Sequence, residues 1–405
     1  VRVHKPARIV LLSALLGWGA ACDSPVDRPG SGVPGRCQAE APVIPPQKTD
    51  ILFVIDNSGS MSEEQAAIAT ELPAFLEQLR QGGGVAQDFR VGVITTSVYL
   101  RTRGGVDYFP EEGGRLRTVP PRPGGEPMAE KYIEGTDPEL LEKFRRLVVQ
   151  GISGSGQETP FEAVRLAVAD PALADLPLEQ GGNKGFLRDG ARLLVVVVTD
   201  EEDCSSTQRP PPVILTADAS KDLCSEQADQ LTSVGEYFDI FQSLKDGRGA
   251  SREVLWATIG PVGLSNKEVG LIQVTTPQGE AHVSNVDCPT SYGPGFRQRA
   301  MAERFNRSLA NLDSICKPNY RESLVSIAAL AAISQSVEVM NIPDPMLAQV
   351  RVTRQDGTVQ TCSVAGGDLR YDASGEDRPA RLFFLGSCLR QPGDQAVEVK
   401  LLCAE

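Results

Sequence analysis

The segment Asp56-Asn57-Ser58-Gly59-Ser60 carries the most specific chemistry in this chain. A carboxylate and two hydroxyls alternate with small residues, so a tight loop would aim three oxygens at one point. Hard oxygen donors suit Mg²⁺, or Mn²⁺ or Ca²⁺, rather than a soft metal. Other chemistries find less material. There are two histidines, His4 and His282, which removes multi-histidine zinc sites and leaves any Ser-His-Asp or Cys-His arrangement dependent on one residue. The nine cysteines contain no C-x-x-C pair, so zinc-ribbon and thioredoxin-like roles are not expected. The acidic run Glu201-Glu202-Asp203 reads as a solvated loop in preference to a second cation site. Glu63 and Glu64 read as acids placed in a first helical turn.

The loop needs rigid neighbours. It follows residues 51–55, ILFVI, a continuous apolar run of the kind found in strands buried on both faces. Three similar runs follow at residues 90–96, 193–199 and 253–259. Between them lie amphipathic stretches. Ile68, Leu72, Phe75, Leu76 and Leu79 share one helical face, Ser62 and Gln65 have capping-box spacing, and Pro73 predicts a kink or break. Residues 137–149, 160–169, 228–244, 295–309 and 321–337 also read as helices. This alternation predicts an α/β fold, doubly wound around a mainly parallel sheet. Residues 100–127 and 201–222 read as loop insertions leaving strand ends, where open α/β sheets place their ligands. Thr95 and Thr96 end the second strand, where they could line the site, though β-propensity alone explains threonine there, and His282 reads as a loop residue. Past residue 342, short alternating stretches and the turn signal Asp356-Gly357 predict a small C-terminal antiparallel β appendage.

The strand–loop–helix setting of Asp56, Ser58 and Ser60 resembles the von Willebrand factor type A domain and its metal-ion-dependent adhesion site, over residues 49–337. That resemblance implies two further loops at the site. A third loop would supply Asp200, acting on the ion through water. A second loop would normally supply a threonine. Counting back from Ala163 places Glu158 there, with Thr159 as the neighbouring candidate. A glutamate would bind the ion more tightly and leave it less attractive to a partner's carboxylate. The stretches DILFVIDNSGSMSEEQ, GVITTS, GSGQE and GFLRDGARLLVVVVTDEEDCS, with the Cys288–Cys316 spacing, resemble lipid-anchored type A proteins of the myxobacterial type.

Residues 1–21 read as a lipoprotein signal peptide, with a basic start, an apolar core and Gly19-Ala20-Ala21 before Cys22. Cys22 is the expected lipidated residue. Residues 22–47, rich in Pro and Gly, read as a tether, residues 48–340 as the type A domain and residues 345–405 as the β appendage. Eight remaining cysteines suggest disulfides in an exported protein. Local loops of similar size favour Cys204 with Cys224, Cys288 with Cys316, and Cys362 with Cys388. Cys37 with Cys403 remains by elimination. The net charge of −13 argues against nucleic acid. The expected protein is a non-enzymatic binding module of the bacterial cell envelope, attached to membrane by lipid alone. Its cation would engage an acidic group of a protein or envelope polymer. An alternative is a structural envelope protein whose metal only stabilises the loop. A remote one is a haloacid-dehalogenase-like phosphotransferase. That chemistry needs an acid two residues after the nucleophilic aspartate, and Ser58 stands there.

Overall fold

The computed structural model describes residues 36–40, 48–81, 88–102, 105–126, 128–216, 218–275, 279, 281–375, 379–391 and 394–402. The leader, Cys22 and Cys403 lie outside the described residues, and with them the proposed lipidation and the Cys37–Cys403 pairing. The chain opens with β1 (Arg36–Glu40), β2 (Lys48–Ile55), α1 (Ser62–Gln81) and β3 (Asp88–Thr95). A hairpin of β4 (Tyr99–Thr102) and β5 (Gly105–Tyr108) precedes β6 (Tyr132–Glu134), α2 (Leu140–Val148), α3 (Pro160–Val168) and α4 (Pro171–Ala174). Then come β7 (Arg192–Val198), α5 (Leu223–Glu226), α6 (Val234–Gln242), β8 (Val254–Gly260) and a second hairpin, β9 (Leu271–Thr275) with β10 (Ala281–Asn285). Helix α7 (Phe296–Phe305), β11 (Leu312–Ser314) and α8 (Arg321–Ala331) complete the large unit. The tail holds β12 (Ser336–Val339), β13 (Ala348–Thr353), β14 (Val359–Ser363), β15 (Leu369–Asp372), β16 (Ala380–Phe384) and β17 (Ala396–Leu402).

The central sheet has six strands in the order β11-β8-β7-β2-β3-β6. All its pairings are parallel except that of β6 with β3. Alternate side chains of β2 fill opposite cores. Ile51, Phe53 and Ile55 face α1, α2 and α8, and Leu52 and Val54 face the layer of α3, α6 and α7. Burial on both faces is why the strand has no polar alternation. Helix α1 runs through Pro73 without interruption. Ile68, Leu72, Phe75 and Leu79 are all fully buried, and their packing offsets the one backbone bond that proline removes. Phe53 meets Phe75 and Phe144 edge-on, at 5.5 and 5.1 Å between ring centroids.

Several expectations change. The helix expected over residues 321–337 ends at Ala331, and Ser336–Val339 is a strand paired with β16. There Val337 enters a third core with Val350, Val352, Leu382 and Phe384, which a continued helix could not reach. The segment Arg36–Glu40, placed in the tether, is a strand paired antiparallel with β17. The tail therefore takes strands from both flanks of the large unit and forms two small sheets, β1-β17-β13-β14 and β12-β16-β15. The turn at Asp356-Gly357 joins β13 to β14 as expected, with Gly357 at φ 82°. Three disulfides close as expected: Cys204–Cys224, Cys288–Cys316 and Cys362–Cys388, with Cα separations of 5.1, 5.5 and 6.0 Å. They fit an oxidising, extracellular or periplasmic setting. Among the described residues, no helix is long and apolar enough to cross a membrane.

Candidate functional site

Strand β2 ends at Ile55, in register with Thr95 of β3 and Val198 of β7, so three strand ends open onto one edge. Asp56 leaves β2 still tied to the sheet, its N–H donating to Val198 O at 2.9 Å. Its carboxylate is fully buried. Oδ1 accepts from Ser58 N at 2.8 Å and Oδ2 from Thr199 Oγ1 at 2.5 Å. The backbone turn so formed sets Ser58 Oγ and Ser60 Oγ 3.1 Å apart, and Ser60 Oγ donates to Asp200 Oδ1 at 3.1 Å. Asp56, Ser58, Ser60 and Asp200 thus lie together at one point, Asp200 in the place the resemblance implied for it.

The second loop separates its two candidates. Thr159 Oγ1 donates to Thr96 O at 2.9 Å and is spent on backbone. Glu158 is fully buried; its Oε2 accepts from Thr96 Oγ1 at 3.0 Å, and its Oε1 has no donor among the described residues. Burial pushes the Glu158 carboxyl well up, and the facing charges of Asp56, Glu201 and Asp200 push it further. Asp56 rises to about 6, chiefly by burial. Asp200 and Glu201 are raised by burial, then by Asp56. Glu64 turns inward from α1, half-buried, with Oε2 lacking a donor. No lysine or arginine is among the groups acting most strongly on these five acids.

That chemistry fits a hard divalent cation: crowded carboxyl groups, converging hydroxyls and a buried carboxyl oxygen without a donor among the described residues. Among the described residues, no three or more His, Cys, Asp or Glu side chains are grouped as a metal site. A donor set that relies on serine hydroxyls does not need such a group. Asp56, Ser58 and Ser60 would hold the ion, with Glu158 and Asp200 beside them. Apart from half-exposed Ser60 and Glu201 and exposed Gly59, the site lies beneath the surface.

Further residues support the site, and of these Asn57, Glu112 and Gly154 carried no signal of that role in the sequence. Asn57 turns away from the hydroxyls; its Nδ2 donates to Glu112 Oε2 at 3.0 Å, and its Oδ1 accepts from Ser97 Oγ at 2.8 Å. Thr95, at the end of β3, also donates to Glu112, and Thr96 just past it meets Glu158 and Thr159, so both threonines brace the site. Gly154 packs on Asn57, where an added Cβ would lie 2.2 Å from Asn57 Oδ1. Gln65 does not close a capping box. Its Nε2 donates to Asp56 O at 2.8 Å and Gly151 O at 2.9 Å, and its Oε1 accepts from Gln150 N at 2.9 Å. It thereby ties the first loop to the second.

The acidic run is not a solvated loop. Glu202 accepts from Phe296 N at 2.6 Å and Arg297 N at 3.0 Å at the start of α7, where the helix dipole favours an anion. Asp203, fully buried, pairs with Arg297 at 2.8 Å. His282 is not in a loop but in β10, stacked on Tyr292 at 4.4 Å. Burial lowers its pKa.

No protein-family model matches this chain, and no curated protein matches it in sequence. Similar solved structures include a von Willebrand factor type A protein from Catenulispora acidiphila: 13% identity, TM-score 0.37, covering 88% of this chain and 57% of that one. Proximal thread matrix protein 1 from the mussel byssus is 12% identical with TM-score 0.31, covering 75% of this chain and 51% of that one. The pilus adhesin SpaC from Lactobacillus rhamnosus GG is 10% identical with TM-score 0.26, covering 89% and 39%. The chain spans 57% or less of the length of these three structures.

Proposed function

We propose that this chain is an exported type A module that holds one Mg²⁺, or Mn²⁺ or Ca²⁺, at Asp56, Ser58 and Ser60. Through that ion it engages an acidic group of a protein or envelope polymer. The observation that carries this reading is the buried Glu158 Oε1, without a donor, among the carboxylates that surround two converging hydroxyls. In this reading the site binds and does not turn over a substrate. The anchor is a lipid on Cys22. Mass spectrometry of the mature amino terminus should find the modified cysteine, and an unmodified peptide running through Cys22 rejects the anchor.

Glu158 also favours a second reading, in which the metal only stabilises the loop. A carboxylate stands where a neutral hydroxyl would leave the ion electrophilic, and Asp56, Ser58 and Asp200 are nearly inaccessible. Titration calorimetry separates the roles. Glu158→Thr should weaken Mn²⁺ binding by about ten-fold or more, since a charged oxygen is lost, while Thr159→Ala should leave it nearly unchanged. The same Glu158→Thr protein should be retained more strongly on envelope fractions in Mn²⁺ and released by chelator. Retention indifferent to chelator, with metal binding intact, favours the structural reading instead.

A further inference from the structure

The opposite end of the sheet holds a feature that the cation site does not use. Strand β11 pairs with β8 only along Thr258–Gly260. Among the described residues, the first half of β8, Val254–Ala257, therefore has no neighbouring strand on that side. A cavity of about 700 Å³ opens there, between β8, α7 and α8 and the C-terminal sheet strand β16. Its wall is apolar and aromatic, with Phe238, Trp256, Phe305, Leu330 and Phe383.

Its charged groups are unbalanced. Arg304, Arg307 and Arg370 line it. Arg370 lies over the Phe383 ring at 4.6 Å, donates to Gln242 O, and has a buried Nε with no acceptor among the described residues. Arg304 lies over Phe238 at 5.9 Å. Of the two acids on the wall, Glu253 is already engaged by Gln335 N at 2.8 Å and Ser336 Oγ at 3.0 Å, and Glu303 is exposed, as Arg304 and Arg307 are; Arg370 is the partly buried arginine of the wall. Asn311 adds a buried Oδ1 without a donor. In a chain of net charge −13, a cleft with three arginines and an aromatic floor is complementary to one kind of occupant. We propose that this cavity binds a small amphipathic oxyanion, with its acyl or aromatic body against Trp256, Phe305 and Leu330 and its acidic head at Arg370 and Arg307. Guanidinium groups pair with oxyanions by charge-assisted hydrogen bonds, and the apolar part of the wall suits the body of such a ligand.

Calorimetry on the full chain tests this with dodecanoate and dodecan-1-ol as probes. Dodecanoate should bind at one equivalent, about ten-fold or more tighter than the alcohol. Arg370→Gln should remove that difference while binding of the alcohol persists. Exposed Arg307→Gln provides the same readout, at smaller size, should Arg370→Gln not fold. Leu330→Trp, which narrows the cavity at its apolar wall, should weaken binding of both. Chelator should change nothing, which separates this site from the cation site. Equal affinity for the two probes, or dodecanoate binding undiminished in Leu330→Trp, overturns the proposal.

Discussion

Replacing Asp56 by alanine should lower Mg²⁺ or Mn²⁺ affinity at least about 100-fold, beyond the reach of calorimetry, and leave the domain folded. Asp56 is the only carboxylate of the first loop, and it shapes the turn that sets Ser58 and Ser60. A buried charge facing a divalent ion is worth several kcal/mol on the order-of-magnitude scale of such pairs. The fold should survive because the sheet core begins one residue earlier, at Ile55. Without metal, the variant loses the bonds from Ser58 N and Thr199 Oγ1 but also relieves the repulsion that Asp56 exerts on Asp200, Glu201 and Glu158. The two effects oppose each other, so the metal-free melting temperature should move by only a few degrees. Unchanged metal affinity in Asp56→Ala would falsify the adhesion-site reading.

The second expected result is an inverted pH dependence of stability. In the metal-free protein, burial raises Asp56 to about 6 and moves Glu158, Asp200 and Glu201 upward. Between the ordinary carboxylate range and these raised values, the folded state binds more protons than the unfolded chain. Stability therefore falls as pH rises through that window. The contribution of these groups is complete only below the ordinary carboxylate range, under about pH 4, and is lost as pH climbs through about 6 and above. Asp56 alone would account for about 3 kcal/mol, from a shift of about two pH units. Saturating Mg²⁺ should reverse the slope, because the ion stabilises the deprotonated site and competes with protons. Urea unfolding from pH 4 to pH 8, with chelator and with Mg²⁺, measures both curves. Parallel curves would mean that the carboxylates do not share the ion.

Much of the architecture was legible in the sequence because burial on both faces leaves a distinctive mark. Residues 51–55 and 193–199 could be little other than central strands, and the loop after the first had to present Asp56, Ser58 and Ser60 together. The local disulfides were legible for a related reason: cysteines 20 to 28 residues apart within one segment need only a local loop to meet. The site's supports left no such mark. Glu112 reaches Asn57 across 55 residues, and Gln65 reaches Gly151 across 86. Neither side chain has a periodicity or motif that announces a distant partner. Gln65 even carried a misleading local signal, since its capping-box spacing was overridden by three tertiary partners.

The same division runs through the whole molecule. By itself, the sequence determined the four apolar strands at the centre of the sheet, the loop that carries the oxygens and the three local disulfides, because each depends on residues close in the chain or on uniform apolar burial. Only the tertiary structure decided which second-loop residue faces the cluster: Thr159 was captured by the backbone of Thr96, just past β3, and Glu158 was left with an oxygen unmatched among the described residues. It decided that Glu202 and Asp203 are buried, because α7 arrives from nearly 100 residues away with its first N–H groups and Arg297. And it decided that Arg36–Glu40 joins the last strand, since a strand edge recruits its partner by open backbone groups, which every residue carries alike.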